Sequence, residues 1–153
     1  MNAKTQPHKL LLKAAAVGGT VALVGAAVAL AAKPLKGATY SGTFTGQVYN
    51  TITFKVSSNG KKVSAFNIPS PPVGCQGAAF GSATGGTATV SKNGTFKATL
   101  NLVFTPEHKT NGTVLVSGKF GKHGSESGTI SSNFTDPSFP KSCNASKSYS
   151  AKG

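Results

Sequence analysis

Several residue types that carry common functions are absent or scarce in this chain. It has no arginine and no tryptophan, and its only acids are Glu107, Glu126 and Asp136. Arginine is the side chain best suited to bidentate phosphate recognition, and tryptophan offers the largest ring for stacking on a sugar. A glycosidase-like carboxylate pair would require two of the acids to lie about 5 to 10 Å apart. We expect each acid to be a surface charge near a turn or a partner for a lysine.

Catalytic and metal-binding motifs are also missing. Beyond residue 31 the only histidines are His108 and His123, and neither has a partner at a fixed spacing. Residues 124–128 (GSESG) have the outline of a nucleophile elbow, but Glu126 stands where a serine is required. The chain has no His-x-His, no Cys-x-x-Cys and no aspartate cluster for calcium. We therefore expect a protein that is not an enzyme and that uses no metal or cofactor.

The first thirty-one residues are typical of a secretory leader. Lys4, Lys9 and Lys13 precede an uncharged run over residues 14–32, and residues 29–31 (ALA) form a small-x-small triplet. This pattern predicts a helical, Sec-type signal peptide over residues 1–31, cleavage before Ala32 and a secreted or cell-surface protein. The alternative is an uncleaved membrane anchor, because a bilayer span needs roughly 20 apolar residues. The run is rich in alanine and glycine, however, whereas anchors are richer in leucine, isoleucine and phenylalanine.

Only two cysteines are present, Cys75 and Cys143. An exported chain meets an oxidising environment, in which an even pair of cysteines usually forms a bridge. We predict a structural disulfide that is worth about 4 kcal/mol on the chain-entropy model. A reactive or metal-binding thiol pair is the alternative, but no histidine or aspartate stands at ligand spacing from either cysteine.

The charge is strongly one-sided. All 16 basic residues are lysines, the formal net charge is +13, and residues 32–153 alone carry about +10. Such a field attracts polyanions, including anionic envelope components, without predicting a specific nucleic-acid partner. Lys61 and Lys62 are the only adjacent basic pair and follow an Asn-Gly turn, so they are the candidate polyanion-binding residues. The alternative is that the dispersed lysines only solubilise the surface.

From Thr39 onward apolar and polar residues alternate with period two, as in half-buried strands. We predict one all-β domain over residues 32–153, an antiparallel sandwich or small barrel of about eight strands joined by hairpins. The clearest alternation is residues 96–104, in which Val103 is the one apolar exception. The predicted strands are 39–48, 50–57, 62–68, 86–91, 95–105, 112–120, 126–134 and 143–151.

Three Asn-Gly pairs, at Asn59, Asn93 and Asn111, divide these strands and predict type I′ turns. Tyr40 and Tyr149 lie near opposite ends of the domain and are expected to pair on adjacent terminal strands.

Two segments of the domain lack the alternating pattern. Residues 69–86 contain Cys75, and residues 136–140 lie just before Cys143. The predicted disulfide would bring them together at one end of the fold. Loops on a rigid scaffold commonly carry function. A small secreted hydrolase or inhibitor with its site in these loops is therefore the alternative to a polyanion-binding module.

The domain also resembles the small secreted all-β proteins that are common in actinobacterial genomes. The resemblance covers residues 37–151 and is carried by the late Cys143 and by four short motifs, GATYSG at 37–42, ITFKVS at 52–57, GKFG at 118–121 and SGTI at 127–130. These proteins begin with a Gly-x-Tyr/Phe-x-Gly motif, whereas in this chain the first glycine stands one position earlier, in GATYSG at 37–42. The resemblance implies an exported all-β fold, and it assigns no functional residue.

Overall fold

The structure, a computed structural model, describes residues 32–45, 50–75, 81–104, 111–135 and 142–153. These residues form eight strands and one short 3₁₀ turn, Lys122–Gly124. The strands are β1 (Thr39–Phe44), β2 (Thr51–Val56), β3 (Lys62–Ile68), β4 (Gly81–Thr89), β5 (Thr95–Phe104), β6 (Asn111–Phe120), β7 (Ser125–Thr135) and β8 (Ala145–Lys152).

The eight strands close into a barrel in which every strand pairs antiparallel with its neighbour in sequence. Closure is made between the first and last strands, where Gly42 on β1 lies opposite Ala151 on β8. The prediction of an all-β antiparallel fold is therefore confirmed, and the barrel, not the sandwich, is the architecture. A barrel has no free sheet edge, which protects the chain from edge-to-edge pairing.

The core fills the inside of the barrel because inward and outward side chains alternate along each strand. On β5, Phe96, Ala98, Leu100 and Leu102 are buried, whereas Val103 is exposed as its outward phase requires. An eight-stranded barrel is just wide enough for its own side chains to fill the interior.

Five aromatic rings form the centre of this core. Their centroids lie 5.2 to 6.4 Å apart, and Phe54 contacts the other four. The members are Tyr40, Phe54, Phe66, Phe96 and Phe120, one each from β1, β2, β3, β5 and β6. Offset and edge-to-face pairs of this kind add to the free energy of apolar burial. The predicted pair of Tyr40 and Tyr149 is wrong: β1 and β8 are adjacent, but Tyr149 lies opposite Phe44.

A β-bulge at Ala65 keeps β3 in phase with the core. The β2–β3 register shifts by one residue there, and Ala65 has a φ of 53°. The extra residue allows both Val63 and Phe66, three positions apart, to be buried. A bulge inserts one residue into a strand and bends it, which suits closure of a sheet into a barrel.

The barrel has two ends with different connections. At the turn end lie the β2–β3, β4–β5 and β6–β7 turns, together with residues 32–38, which we call the N-terminal strap. At the opposite, disulfide end, Cys75 is bonded to Cys143 with their Cα atoms 4.9 Å apart. The backbone N–H of Gly74 also donates to the carbonyl of Cys143 over 3.2 Å. The predicted bridge is thus present and ties the β3–β4 connection to the entry of β8.

The predicted signal peptide, residues 1–31, lies outside the described residues. Within the described part of the chain, no helix is long and apolar enough to cross a membrane.

Candidate anion-binding cleft

A cavity of about 400 Å³ opens at the turn end of the barrel. Its walls are the N-terminal strap, the β2–β3 turn around Gly60 and the chain from Thr89 at the end of β4 to Gly94. Four exposed lysines line it, and we call this cavity the lysine cleft: Lys33, Lys36, Lys61 and Lys92. Among the described residues, no acidic side chain and no aromatic ring lines the cleft.

The two turns of the cleft are built alike, and neither is the type I′ turn that the Asn-Gly pairs predicted. In the first, the N–H of Gly60 donates to the carbonyl of Ser57 over 2.9 Å, and only Gly60 (φ 74°) has a positive φ. In the second, Gly94 (φ 77°) donates to Ser91 in the same way. A type I turn followed by a left-handed glycine fits this geometry, so the asparagine needs no positive φ.

Asparagine instead stabilises these turns through its side chain. The amide oxygen of Asn59 accepts hydrogen bonds from the hydroxyl of Ser57 at 2.8 Å and from the N–H of Lys61 at 3.0 Å. The amide oxygen of Asn93 accepts hydrogen bonds from the hydroxyls of Ser91 and Thr95. These local bonds, typical of Asx turns, hold the loops that carry Lys61 and Lys92. The third Asn-Gly pair is no turn, because Asn111 and Gly112 begin β6.

Backbone hydrogen bonds join the walls of the cleft to one another. The N–H of Gly37 in the strap donates to the carbonyl of Ser57 over 3.1 Å, and the N–H of Val90 donates to the carbonyl of Lys61 over 2.9 Å. Each wall is therefore fixed to the next by the main chain, and the lysine stems project from a rigid frame.

The strap is also anchored to the barrel interior. The N–H of Leu35 donates to the phenol oxygen of Tyr40, 3.0 Å away, and Tyr40 is fully buried among the core aromatics. A Cβ at Gly94 would lie against the carbonyl oxygen of Ala32, so the first described residue packs closely on the β4–β5 turn. The strap thus reaches across the turn end from the core to the cleft.

The structure separates the two lysines that the sequence joined as candidates. Lys61 lines the cleft, whereas Lys62 is the exposed first residue of β3 and is not part of the lining. Its N–H donates to the hydroxyl of Ser57 over 3.0 Å. Lys33, Lys36 and Lys92 were not singled out by the sequence, because only the closed barrel and the strap bring them to Lys61.

Glu126 is not the surface charge that the sequence predicted. It points into the barrel from β7 and exposes 2% of its surface. One carboxyl oxygen accepts a hydrogen bond of 2.9 Å from the phenol of Tyr149, and the backbone N–H of Lys119 also donates to the carboxyl. The second oxygen, Oε2, has no hydrogen-bond partner among the residues that the structure describes. The position of Glu126 on β7 explains its burial, because its side chain points to the same inner face of the strand as those of Ile130 and Phe134.

Burial dominates the ionisation of this carboxyl. Desolvation raises the pKa of Glu126 from 4.5 to about 8, against the opposing effect of the hydrogen bonds from Tyr149 and Lys119. Desolvation likewise raises the pKa of Tyr149, and the neighbouring carboxyl raises it further. Glu126 is the only acidic side chain that the structure describes, so at neutral pH it offsets little of the positive charge. A Cβ at Gly118 would overlap its Oε1 and the ring of Phe96.

The loops that the sequence proposed as an alternative site are described only at their flanks. Residues 76–80, 105–110 and 136–141, which include Glu107, His108 and Asp136, lie outside the described residues. His123 is exposed in the β6–β7 turn. In the described ranges, no group of three or more His, Cys, Asp or Glu side chains is placed to hold a metal ion.

No family model, no curated protein and no solved structure matches this chain.

Proposed function

We propose that this protein is an exported, non-catalytic binding module that holds an anionic polymer of the cell envelope in its lysine cleft. The observation that carries the proposal is the gathering of Lys33, Lys36, Lys61 and Lys92 around one cavity of about 400 Å³. Like charges at one place raise the free energy of the folded chain, and a polyanion bound there relieves that repulsion.

The side chains of the cleft indicate what kind of anion it suits. Lysine ammonium groups act as mobile point charges and do not impose the planar, bidentate geometry that arginine imposes on a single phosphate. Stacking of nucleobases requires aromatic rings, and none is found in the described lining. Such a cleft responds to the density of negative charge along a chain and not to base sequence. An extended phosphodiester or polyphosphate chain has this chemistry.

Export rests on two supports. The leader pattern of residues 1–31 is typical of a secreted protein. The Cys75–Cys143 disulfide is compatible with an oxidising compartment. An exported module with about +10 charges would meet the anionic polymers of the envelope first.

Lys61 and Lys62 provide a matched test, since they are neighbours and only Lys61 lines the cleft. Binding of inorganic polyphosphate to Lys61→Gln and Lys62→Gln would be measured by titration calorimetry at 0.15 M salt. We expect Lys61→Gln to weaken binding about fourfold, the loss of one phosphate contact, and Lys62→Gln to weaken it less than twofold. Equal losses at both positions would show that only the diffuse charge matters, and no binding by the parent protein would end the proposal.

A further inference from the structure

We propose that the α-ammonium group created at Ala32 by removal of the leader is a fifth cationic group of the lysine cleft. The inference rests on the proposed function and names one more group of the same site. Leader cleavage then has a second consequence besides release of the protein. It adds to the cleft a positive charge that the precursor lacks.

The position of Ala32 carries this inference. Ala32 is itself a lining residue of the cleft, next to Lys33. Its carbonyl oxygen lies 2.5 Å from the position that a Cβ on Gly94 would take, so the residue is held against the β4–β5 turn that bears Lys92. The strap behind it is fixed by the Leu35–Tyr40 and Gly37–Ser57 hydrogen bonds. The main-chain nitrogen of Ala32 is therefore kept at the cleft.

The sequence places the cleavage at the same residue. Ala29 and Ala31 form the small-x-small triplet, so the predicted new N-terminus is Ala32. In the precursor this nitrogen is a neutral amide, whereas after cleavage it is a primary amine with an ordinary pKa of about 7.7 to 8.0. The amine is therefore mostly protonated at neutral pH. An α-amine in general has a lower ordinary pKa than a lysine side-chain amine, for which the reference value is about 10.4.

This difference in pKa makes the amine separately testable. Protein secreted by an exporting host would first be weighed intact to establish that it begins at Ala32. One portion would then be acetylated at about pH 6.5, where the α-amine reacts in preference to the lysines because its pKa is lower. A second mass measurement would verify that a single acetyl group has been added at the N-terminus.

Polyphosphate binding would be compared between the free and acetylated forms across salt and pH. The acetylated form should bind about fourfold more weakly at 0.15 M salt and about fifteenfold more weakly at 0.02 M. Its plot of log K against log salt should be shallower by about 0.7. As the pH rises from 7 to 9, the polyphosphate affinity of the free form should fall to that of the acetylated form, because only the free form has an α-amine that loses its proton. Glu126, Lys33, Lys36, Lys61 and Lys92 are the same in both forms, so the difference between the forms reports the α-amine only.

The outcomes separate this inference from the proposed function. Strong binding that is equal in the two forms at every pH would contradict a role of the α-amine and would not contradict the lysine cleft. An exported protein that begins at another residue would also overturn it. Binding by neither form would remove both proposals. Weaker binding in Lys61→Gln together with no effect of acetylation would remove this one alone.

Discussion

The phenol of Tyr149 on β8 donates a hydrogen bond of 2.9 Å to the carboxyl of Glu126 on β7, inside the barrel. Glu126 exposes 2% of its surface and Tyr149 exposes 4%, so water does not compete for this bond. Within the described part of the chain, the second carboxyl oxygen accepts no hydrogen bond. A buried carboxyl with one unpartnered oxygen is better accommodated as the neutral acid than as the carboxylate.

The first prediction is that the stability of the barrel falls as pH rises. The pKa of Glu126 is 4.5 unfolded and about 8 folded, so the unfolded chain releases the proton first. The contribution of this group to the free energy of unfolding is fully present below pH 4.5. It is lost progressively as the pH rises to about 8, and above that pH no further loss comes from this group. The total loss is a few kcal/mol, at most about 5. Urea denaturation of the parent protein and of Glu126→Gln at pH 4.5 and pH 9 measures it.

Gln at position 126 cannot ionise, so Glu126→Gln should remove most of this pH dependence and should be more stable than the parent protein at pH 9. Its amide oxygen still accepts from Tyr149, which preserves the hydrogen bond. The same slope with pH in both proteins would contradict the account of Glu126.

The second prediction concerns Tyr149. Tyr149→Phe keeps the ring and removes the donor, which should destabilise the barrel by about 1 to 3 kcal/mol. The cost should be larger at pH 9 than at pH 5, because a hydrogen bond to an ionised carboxyl is stronger than one to a neutral carboxyl. In a Glu126→Gln background the cost should no longer change with pH. A cost that is equal at both values of pH in the parent background would show that the two groups are not coupled.

The third prediction concerns the space around Glu126. Gly118→Ala places a methyl group against Glu126 Oε1 and the ring of Phe96, both fixed in the core. It should lower the free energy of unfolding by about 1 to 3 kcal/mol through overpacking. Thr113→Ala, an exposed position on the same strand, is the control and should change it by less than about 0.5 kcal/mol. Thermal unfolding of the two variants gives the comparison. Unchanged stability of Gly118→Ala would show that Glu126 and Phe96 can move to accommodate the added methyl group.

The fourth prediction concerns the disulfide. Replacing both Cys75 and Cys143 with serine opens a loop of 68 residues and should lower stability by about 2 to 4 kcal/mol. The lysine cleft lies at the other end of the barrel, so polyphosphate binding at a temperature where the variant is folded should not change. Free, alkylatable thiols in the native exported protein would contradict the bridge, and lost binding by the folded variant would contradict the separation of the two ends.

The strands could be predicted because alternation with period two is a local signal. β2, β3 and β5 lie within one residue of their predicted bounds at each end. β4 begins at Gly81, five residues earlier than predicted, because Gly81, Gly85 and Gly86 suggested a loop. In the barrel Gly85 and Gly86 have positive φ values within the strand, opposite the bulge-bearing β3. Glycine breaks the periodicity there but not the pairing with β3, which continues on both sides of Gly85 and Gly86, whereas the pairing with β5 covers only Gly81–Thr84.

The site was less accessible to sequence reasoning, for two physical reasons. Lys61 was found because it stands beside another lysine, but its cleft neighbours come from the strap and from a turn some thirty residues away. No local pattern reveals a gathering that barrel closure creates. Glu126 did carry a signal: it falls on the inward phase of β7, and that phase outweighs the general preference of glutamate for the surface.

The most direct test of the account compares two quadruple variants of equal charge. One replaces the cleft lysines Lys33, Lys36, Lys61 and Lys92 with glutamine, and the other replaces Lys55, Lys97, Lys119 and Lys147, which are exposed on four strands outside the cleft. Polyphosphate affinity would be measured against salt for both variants and for the parent protein. The cleft variant should lose about three units of the slope of log K against log salt, and the strand variant less than about one. Equal losses in the two variants would contradict a dedicated cleft.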